Sequence, residues 1–137
     1  MVPRQAVNSK ILLFDIETAG VQGLKADRAF CVMVGYKWLG SKESPKVISV
    51  LDYPGKHCQD DGPLLRAANE LFTEAEGLVA HYGENFDKPY LEAKFLQAGL
   101  SPIPPMKLTD TCLLARKKLC ISSNRLANLA EFLHCTG

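Results

Sequence analysis

Two acids stand close together near the start of the chain, in the run Lys10-Ile-Leu-Leu-Phe-Asp-Ile-Glu17. Residues two apart on an extended strand point to the same face, so the carboxylates of Asp15 and Glu17 converge. Like charges beside a buried sheet repel each other and lose hydration; either they share a proton or a cation neutralises them. Carboxylate oxygens suit a hard divalent ion, Mg²⁺ or Mn²⁺. The plainer alternative is a pair of solvated acids at a strand end. A third acid, Asp87, closes the segment Leu78-Val-Ala-His-Tyr-Gly-Glu-Asn-Phe-Asp87, where a short strand gives way to a helix. On its own it would be a favourable first-turn charge on the helix dipole. If the strand before it lies beside the first strand, as a short connection through one helix allows, Asp87 approaches Asp15 and Glu17 from the neighbouring element.

The elements that must do this positioning can be read from the apolar pattern. Ile11 to Ile16 reads as a buried central strand with apolar residues on both faces. Phe30 to Trp38 and Lys46 to Leu51 read as two further strands joined by a turn over Gly40 to Pro45, and the three form a meander. Pro63 suits the first turn of a helix in which Leu64, Leu65, Ala68, Leu71 and Phe72 recur at helical spacing, ending near Gly77. Leu78 to His81 is a short strand, and a second helix runs from about Asp87 to Ala98, with Pro89 in its opening turn and Gly99 closing it. Beyond the proline-rich Leu100 to Pro105, Met106 to Thr109 reads as an edge strand and Thr111 to Leu119 as a third helix, with Asp110 as its cap. A fourth helix begins near Ser123, with Leu126, Leu129, Ala130 and Leu133 as its stripe. Three strands, a helix, a strand, a helix, a strand and more helices make an α/β protein: a mixed sheet with helices packed on it.

Composition narrows the function. With 137 residues, 47% hydrophobic and 23% charged, the chain predicts one domain over residues 1–137 with a substantial core. The formal charge of +1 gives no global signature of nucleic-acid binding, so any such contact is local. No apolar run approaches the roughly 20 residues that span a bilayer, and residues 1–10 carry no stretch of secretory length, so a cytoplasmic location is expected. Five cysteines at no zinc or redox spacing read as reduced, mostly buried thiols. Arg116, Lys117 and Lys118 read as a solvated face and a helix C-terminal charge that could touch phosphates. Tyr36 and Trp38 read as sheet packing.

Asp15-Ile-Glu-Thr18 with Ala80-His-Tyr-Gly-Glu-Asn-Phe-Asp87 resembles the first two motifs of the DEDD superfamily of 3′→5′ exonucleases, which includes the proofreading subunit of bacterial DNA polymerase III and the exonuclease domains of family B polymerases. Leu108-Thr-Asp-Thr111, Ala115-Arg-Lys-Lys118 and Ser123-Asn-Arg-Leu-Ala-Asn-Leu129 resemble the next section of those domains, so the likeness runs from about Ile11 to Leu133. The resemblance implies a ribonuclease-H-like five-stranded mixed sheet, with Asp15, Glu17 and Asp87 as catalytic, metal-binding carboxylates for two Mg²⁺ or Mn²⁺ ions. It implies Thr18 near the terminal nucleotide and His81 near the bound strand, although a satisfied histidine at a strand end accounts for His81 as well. Tyr82 departs from the asparagine of many relatives.

The resemblance is incomplete at its far end. Relatives carry a third motif, a tyrosine or histidine followed by a fourth aspartate on a further helix. This sequence has no aspartate after Asp110, and Glu131 falls on the wrong helix. The expectation is therefore a domain without its C-terminal helix, weakly active or inactive, whose substrate would be single-stranded DNA ends. The same carboxylates would serve an exoribonuclease, and a non-catalytic nucleic-acid-binding module of the same fold is the reading from another class. Both a chain that works alone and a part of a larger replication or repair protein remain open.

Overall fold

The computed structural model describes residues 9–135. The polar lead-in before Ser9, on which the absence of a secretory segment was read, and the final two residues lie outside them. Nine elements follow one another: β1 (Ile11–Ala19), β2 (Phe30–Trp38), β3 (Lys46–Ser49), α1 (Gly62–Glu74), β4 (Gly77–Ala80), α2 (Asp87–Gln97), β5 (Leu108–Asp110), α3 (Thr111–Lys118) and α4 (Leu126–Phe132). The strands form one sheet in the order β3-β2-β1-β4-β5. β1 to β3 are the expected antiparallel meander, whereas β4 and β5 run parallel to β1, each reached through one helix. The first strand is thus central, and its neighbour across α1 is the strand that leads to Asp87. The fold is the mixed five-stranded sheet with flanking helices that the sequence predicts.

One face of β1 is buried rather than both. Leu12, Phe14 and Ile16 sink beneath α1 and α2, while Leu13 is half-buried and Asp15 and Glu17 are exposed. Under the buried face the Phe14 and Phe72 rings meet edge to face at 4.9 Å, and Phe72 meets Phe95 at 5.9 Å. Phe72 and Phe95 are fully buried, so truncating either to alanine costs about 3–5 kcal/mol. Tyr36 and Trp38 pack against this core, as sheet packing requires.

Several boundaries differ from the sequence reading, each for a local reason. β1 continues to Ala19 because its pairing with β2 resumes after an irregularity: Glu17 faces Met33 and Thr18 faces Cys31, leaving Val32 without an opposite residue. β3 stops at Ser49, where Asp52 and Tyr53 fold back to bond the Ser49 carbonyl and the Ser49 hydroxyl meets the Asp52 carboxylate. β4 ends at Ala80, since Tyr82 takes a left-handed φ of 62° that turns the chain out of the sheet. α2 closes at Gly99, whose φ of 72° suits glycine at a helix end. α4 starts at Leu126, after a turn in which the Ser123 hydroxyl accepts from Arg125 N–H.

α2 is anchored by a buried ion pair. Lys94 Nζ stands 3.0 Å from Asp61 Oδ2, and the ammonium also donates to the Ala29 carbonyl at 3.1 Å. Asp61 in turn accepts from Cys31 N–H at 2.8 Å, so one carboxylate ties the start of α1, the start of β2 and the last turn of α2 together. Burial and the nearby Asp61 push the Cys31 thiol up to about 12, which leaves it a small hydrophobe rather than a reactive thiolate. Among the cysteines only Cys31 and Cys112 are buried, whereas Cys58, Cys120 and Cys135 are exposed, contrary to the expectation of mostly buried thiols; all five are free.

Candidate functional site

β1, β4 and β5 share a carboxyl end, and the loop Tyr82 to Phe86 and the start of α3 gather there. Loops beyond the carboxyl ends of parallel strands are where α/β sheets bind ligands. Asp87 opens α2 at this end and is 5% exposed, and Ile16 N–H donates to its Oδ2 at 3.1 Å. That bond joins the third predicted acid to the backbone between the first two. Burial, the neighbouring charge of Asp15 and a hydrogen bond with the Asp15 carboxyl raise the Asp87 carboxyl to about 7, against the weaker pull of Ile16 N–H. The two carboxyls therefore meet, one buried and one exposed, and a proton kept on Asp87 or a cation between them relieves the repulsion.

Glu17 projects from the same face of β1 as Asp15 and is exposed. Among the described residues no three His, Cys, Asp or Glu side chains form a metal-holding group, so the acids that come together are two, Asp15 and Asp87. Thr18 is half-buried just past the irregular pairing with β2. His81 has both ring nitrogens engaged: Nε2 lies 2.7 Å from the Asn124 carbonyl and Nδ1 2.9 Å from the Thr111 hydroxyl. Because a carbonyl only accepts, Nε2 carries the proton. His81 thus ties the end of β4 to the start of α3 and to the turn before α4.

Two residues that matter here escaped the sequence reading. Gly35 pairs with Asp15 across β1 and β2, so on the β2 side no side chain stands directly opposite the Asp15 carboxylate. A glycine within a strand pattern marks close approach of a ligand or backbone, and that was the available signal. Asp110 was read as a helix cap, and it is one, with Oδ1 accepting from Cys112 N–H and Leu113 N–H. It also accepts from Tyr82 N–H at 2.8 Å and Glu84 N–H at 3.1 Å, and so latches the loop that delivers Asp87. Burial alone would raise this carboxyl, but the four backbone donors outweigh it and hold it below the ordinary range. An acid saturated with backbone donors is poorly placed to serve as a metal ligand.

The sequence matches the family model described as the RNase H superfamily over residues 12–136, and the chain belongs to that superfamily. In fold it is similar to the family B DNA polymerase from the hyperthermophilic archaeon Pyrobaculum calidifontis, with a TM-score of 0.73 and 18% identity over 93% of this chain. The chain spans 18% of that polymerase, and at this identity the likeness is one of fold. No curated protein matches the sequence. Superfamily and fold together support a nuclease-like hydrolase. Among the described residues no helix is long and apolar enough to cross a membrane.

Proposed function

We propose that this chain is a metal-dependent 3′→5′ exonuclease domain of the DEDD type acting on single-stranded DNA ends. The observation that carries the reading is the meeting of Asp15 and Asp87 from two separate elements at the carboxyl end of the parallel strands. Their donor set fits Mg²⁺ or Mn²⁺, because an all-oxygen pair with a surplus negative charge is what a hard cation neutralises. Asp15 and Asp87 would hold the ion, with Glu17 contributing from the same strand face. Bound there, divalent ions supply an activated water and charge neutralisation at the leaving 3′ oxygen.

The residues of the chain do the placing. Ile16 N–H fixes one Asp87 oxygen, so the buried acid is held without a search over rotamers. Asp15 offers the exposed side of the pair, opposite Gly35, where a strand end has room to approach. Thr18 would lie by the terminal nucleotide and His81 by the bound strand, the latter through the framework it holds. Turnover by these 137 residues is expected to be weak, since two acids rather than three or four gather among the described residues. The setting we propose is cytoplasmic, within or beside a larger replication or repair protein.

Hydrolysis of 3′-labelled single strands with Mn²⁺, in the parent and in Asp15→Asn, tests the reading. Release of 3′ nucleotides that disappears in the variant supports it; equal release from both would refute it. Matched DNA and RNA strands separate an exonuclease from an exoribonuclease. The pairing of only two acids favours, as a second reading, a nucleic-acid-binding module without turnover. Calorimetric titration with Mn²⁺ divides the two, since the module takes up no ion.

A further inference from the structure

Beyond the paired acids, a second feature at the same end of the sheet is built for an anionic strand. His81 and Tyr82 at the end of β4, Cys112 and Arg116 on α3, and Arg125 and Leu126 at the start of α4 line a cavity of about 370 Å³. Its cations are unspent. Among the described residues the ion pairs are Lys10 with Glu74, Arg28 with Asp27, Lys46 with Glu43 and Lys94 with Asp61, and neither Arg116 nor Arg125 is in one. The guanidinium of Arg116 makes only a long 3.9 Å contact to the Cys112 sulfur. Of the two acids nearest along the chain to the lining residues, Asp110 is engaged by four backbone donors, and Glu84 is exposed and in no ion pair among the described residues. Two exposed guanidiniums, both outside any ion pair among the described residues, thus line one cavity.

The aromatic partner is Tyr82, 44% exposed and held at φ 62° because Asp110 captures its N–H. A tyrosine is an unfavourable choice for a left-handed position, where glycine or asparagine would be easier. What the position keeps in exchange is a ring presented to solvent on the cavity that the two arginines also line. Guanidiniums that fork onto phosphates beside an aromatic face that stacks a base are the usual way to hold a single strand without reading its sequence.

We infer that Arg116, Arg125 and Tyr82 form a subsite for single-stranded nucleic acid, which takes phosphates on the two guanidiniums and a base on the tyrosine ring. Tyr82 lies five residues before Asp87, so their Cα atoms are at most about 18 Å apart along an extended chain, and less through the folded loop. A strand held at this subsite can therefore reach the paired acids within a few nucleotides. The inference rests on the nuclease reading for the identity of its ligand, but the binding it describes needs no metal.

The test is fluorescence anisotropy with a labelled oligothymidylate in EDTA over a range of salt. Arg116→Ala and Arg125→Ala each lower the slope of log affinity against log salt by about 0.7, the value for one phosphate contact on a single strand. Tyr82→Asn, which removes the ring yet tolerates the left-handed backbone, weakens binding about tenfold. The same substitution leaves binding to an abasic strand unchanged. Lys42→Ala, exposed on the β2–β3 turn toward the opposite edge of the sheet, leaves both affinity and slope unchanged. All four altered side chains are exposed, and unfolding curves that match the parent's confirm that folding is intact. Parent-like slopes in both arginine variants, or a parent that binds no strand, would overturn the subsite. Its failure is separable from failure of the nuclease reading, because the latter shows as intact, arginine-dependent binding with no Mn²⁺-dependent hydrolysis.

Discussion

Replacing Asp87 by asparagine isolates the electrostatic strain at the centre of the site. In the folded chain this carboxyl is buried against Asp15 and sits near 7, against 3.8 for an ordinary aspartate. Between those two values the folded state keeps a proton that the unfolded chain has released, so folding stability falls as pH rises through the window. A difference of about three, at about 1.4 kcal/mol each, sets an upper bound of about 4 kcal/mol above pH 7. The exposed side of the pair lets solvent screen part of this. The asparagine side chain has the same shape, still accepts from Ile16 N–H and carries no charge.

The stability gain of Asp87→Asn over the parent should therefore be near zero at pH 4 and grow as pH rises. It should level off near pH 7 at roughly 2–4 kcal/mol, or about 5–15 °C in Tm for a domain of this size. Thermal unfolding in EDTA from pH 4 to 9 reads this difference directly. With Mn²⁺ the order reverses above pH 7, since the parent gains stability from the ion and the variant does not. A difference that stays flat with pH, or a variant less stable than the parent at pH 8 in EDTA, would refute the reasoning, because either shows that Asp87 carries no unfavourable charge.

Three further outcomes follow from the same geometry. Lys94→Met leaves Asp61 as a buried charge without its partner and is expected to cost about 3–5 kcal/mol in urea unfolding, whereas the double change Asp61→Leu with Lys94→Met loses clearly less. Asp110→Ala frees four backbone donors and is expected to lose about 2–4 kcal/mol at neutral pH. Because the Asp110 carboxyl is held below its ordinary value, that contribution is present above the ordinary carboxylate range and is lost as acid protonates it, so the parent and variant curves converge at low pH. Gly35→Leu should fold, because an added Cβ there meets nothing closer than an ordinary contact to the Asp15 carbonyl at 3.9 Å. Its side chain would occupy the open space beside Asp15, so Mn²⁺ uptake by calorimetry should weaken at least tenfold while Tm moves little.

What could be read from the sequence divides by distance along the chain. The strand period places Asp15 and Glu17 on one face, and the short helical connection puts β4 beside β1, so the approach of Asp87 to Asp15 follows from local pattern plus one topological rule. Where β1 ends does not follow, because its last residues are held by pairing with β2 beyond the irregularity at Val32, and that pairing is tertiary. The second role of Asp110 was hidden for the same reason. Its capping partners lie two and three residues on, whereas the loop donors that make it a latch lie 28 and 26 residues back.

Lys94 and Asp61 show how such distance misleads. On a helix face a lysine pattern reads as solvated, and only the docking of α2 against the starts of α1 and β2 turns this lysine inward. That docking matters to the site because Lys94 is seven residues, or two helical turns, after Asp87 and so lies on the same side of α2. The anchor at Lys94 and the bond from Ile16 to Asp87 hold one helix face at two points against the sheet. An acid fixed in this way cannot retreat from Asp15 into solvent when it ionises. The burial and, after it, the repulsion from Asp15 that raise the Asp87 carboxyl are therefore maintained by packing far from the acids themselves, and a cation would relieve the repulsion without moving either element.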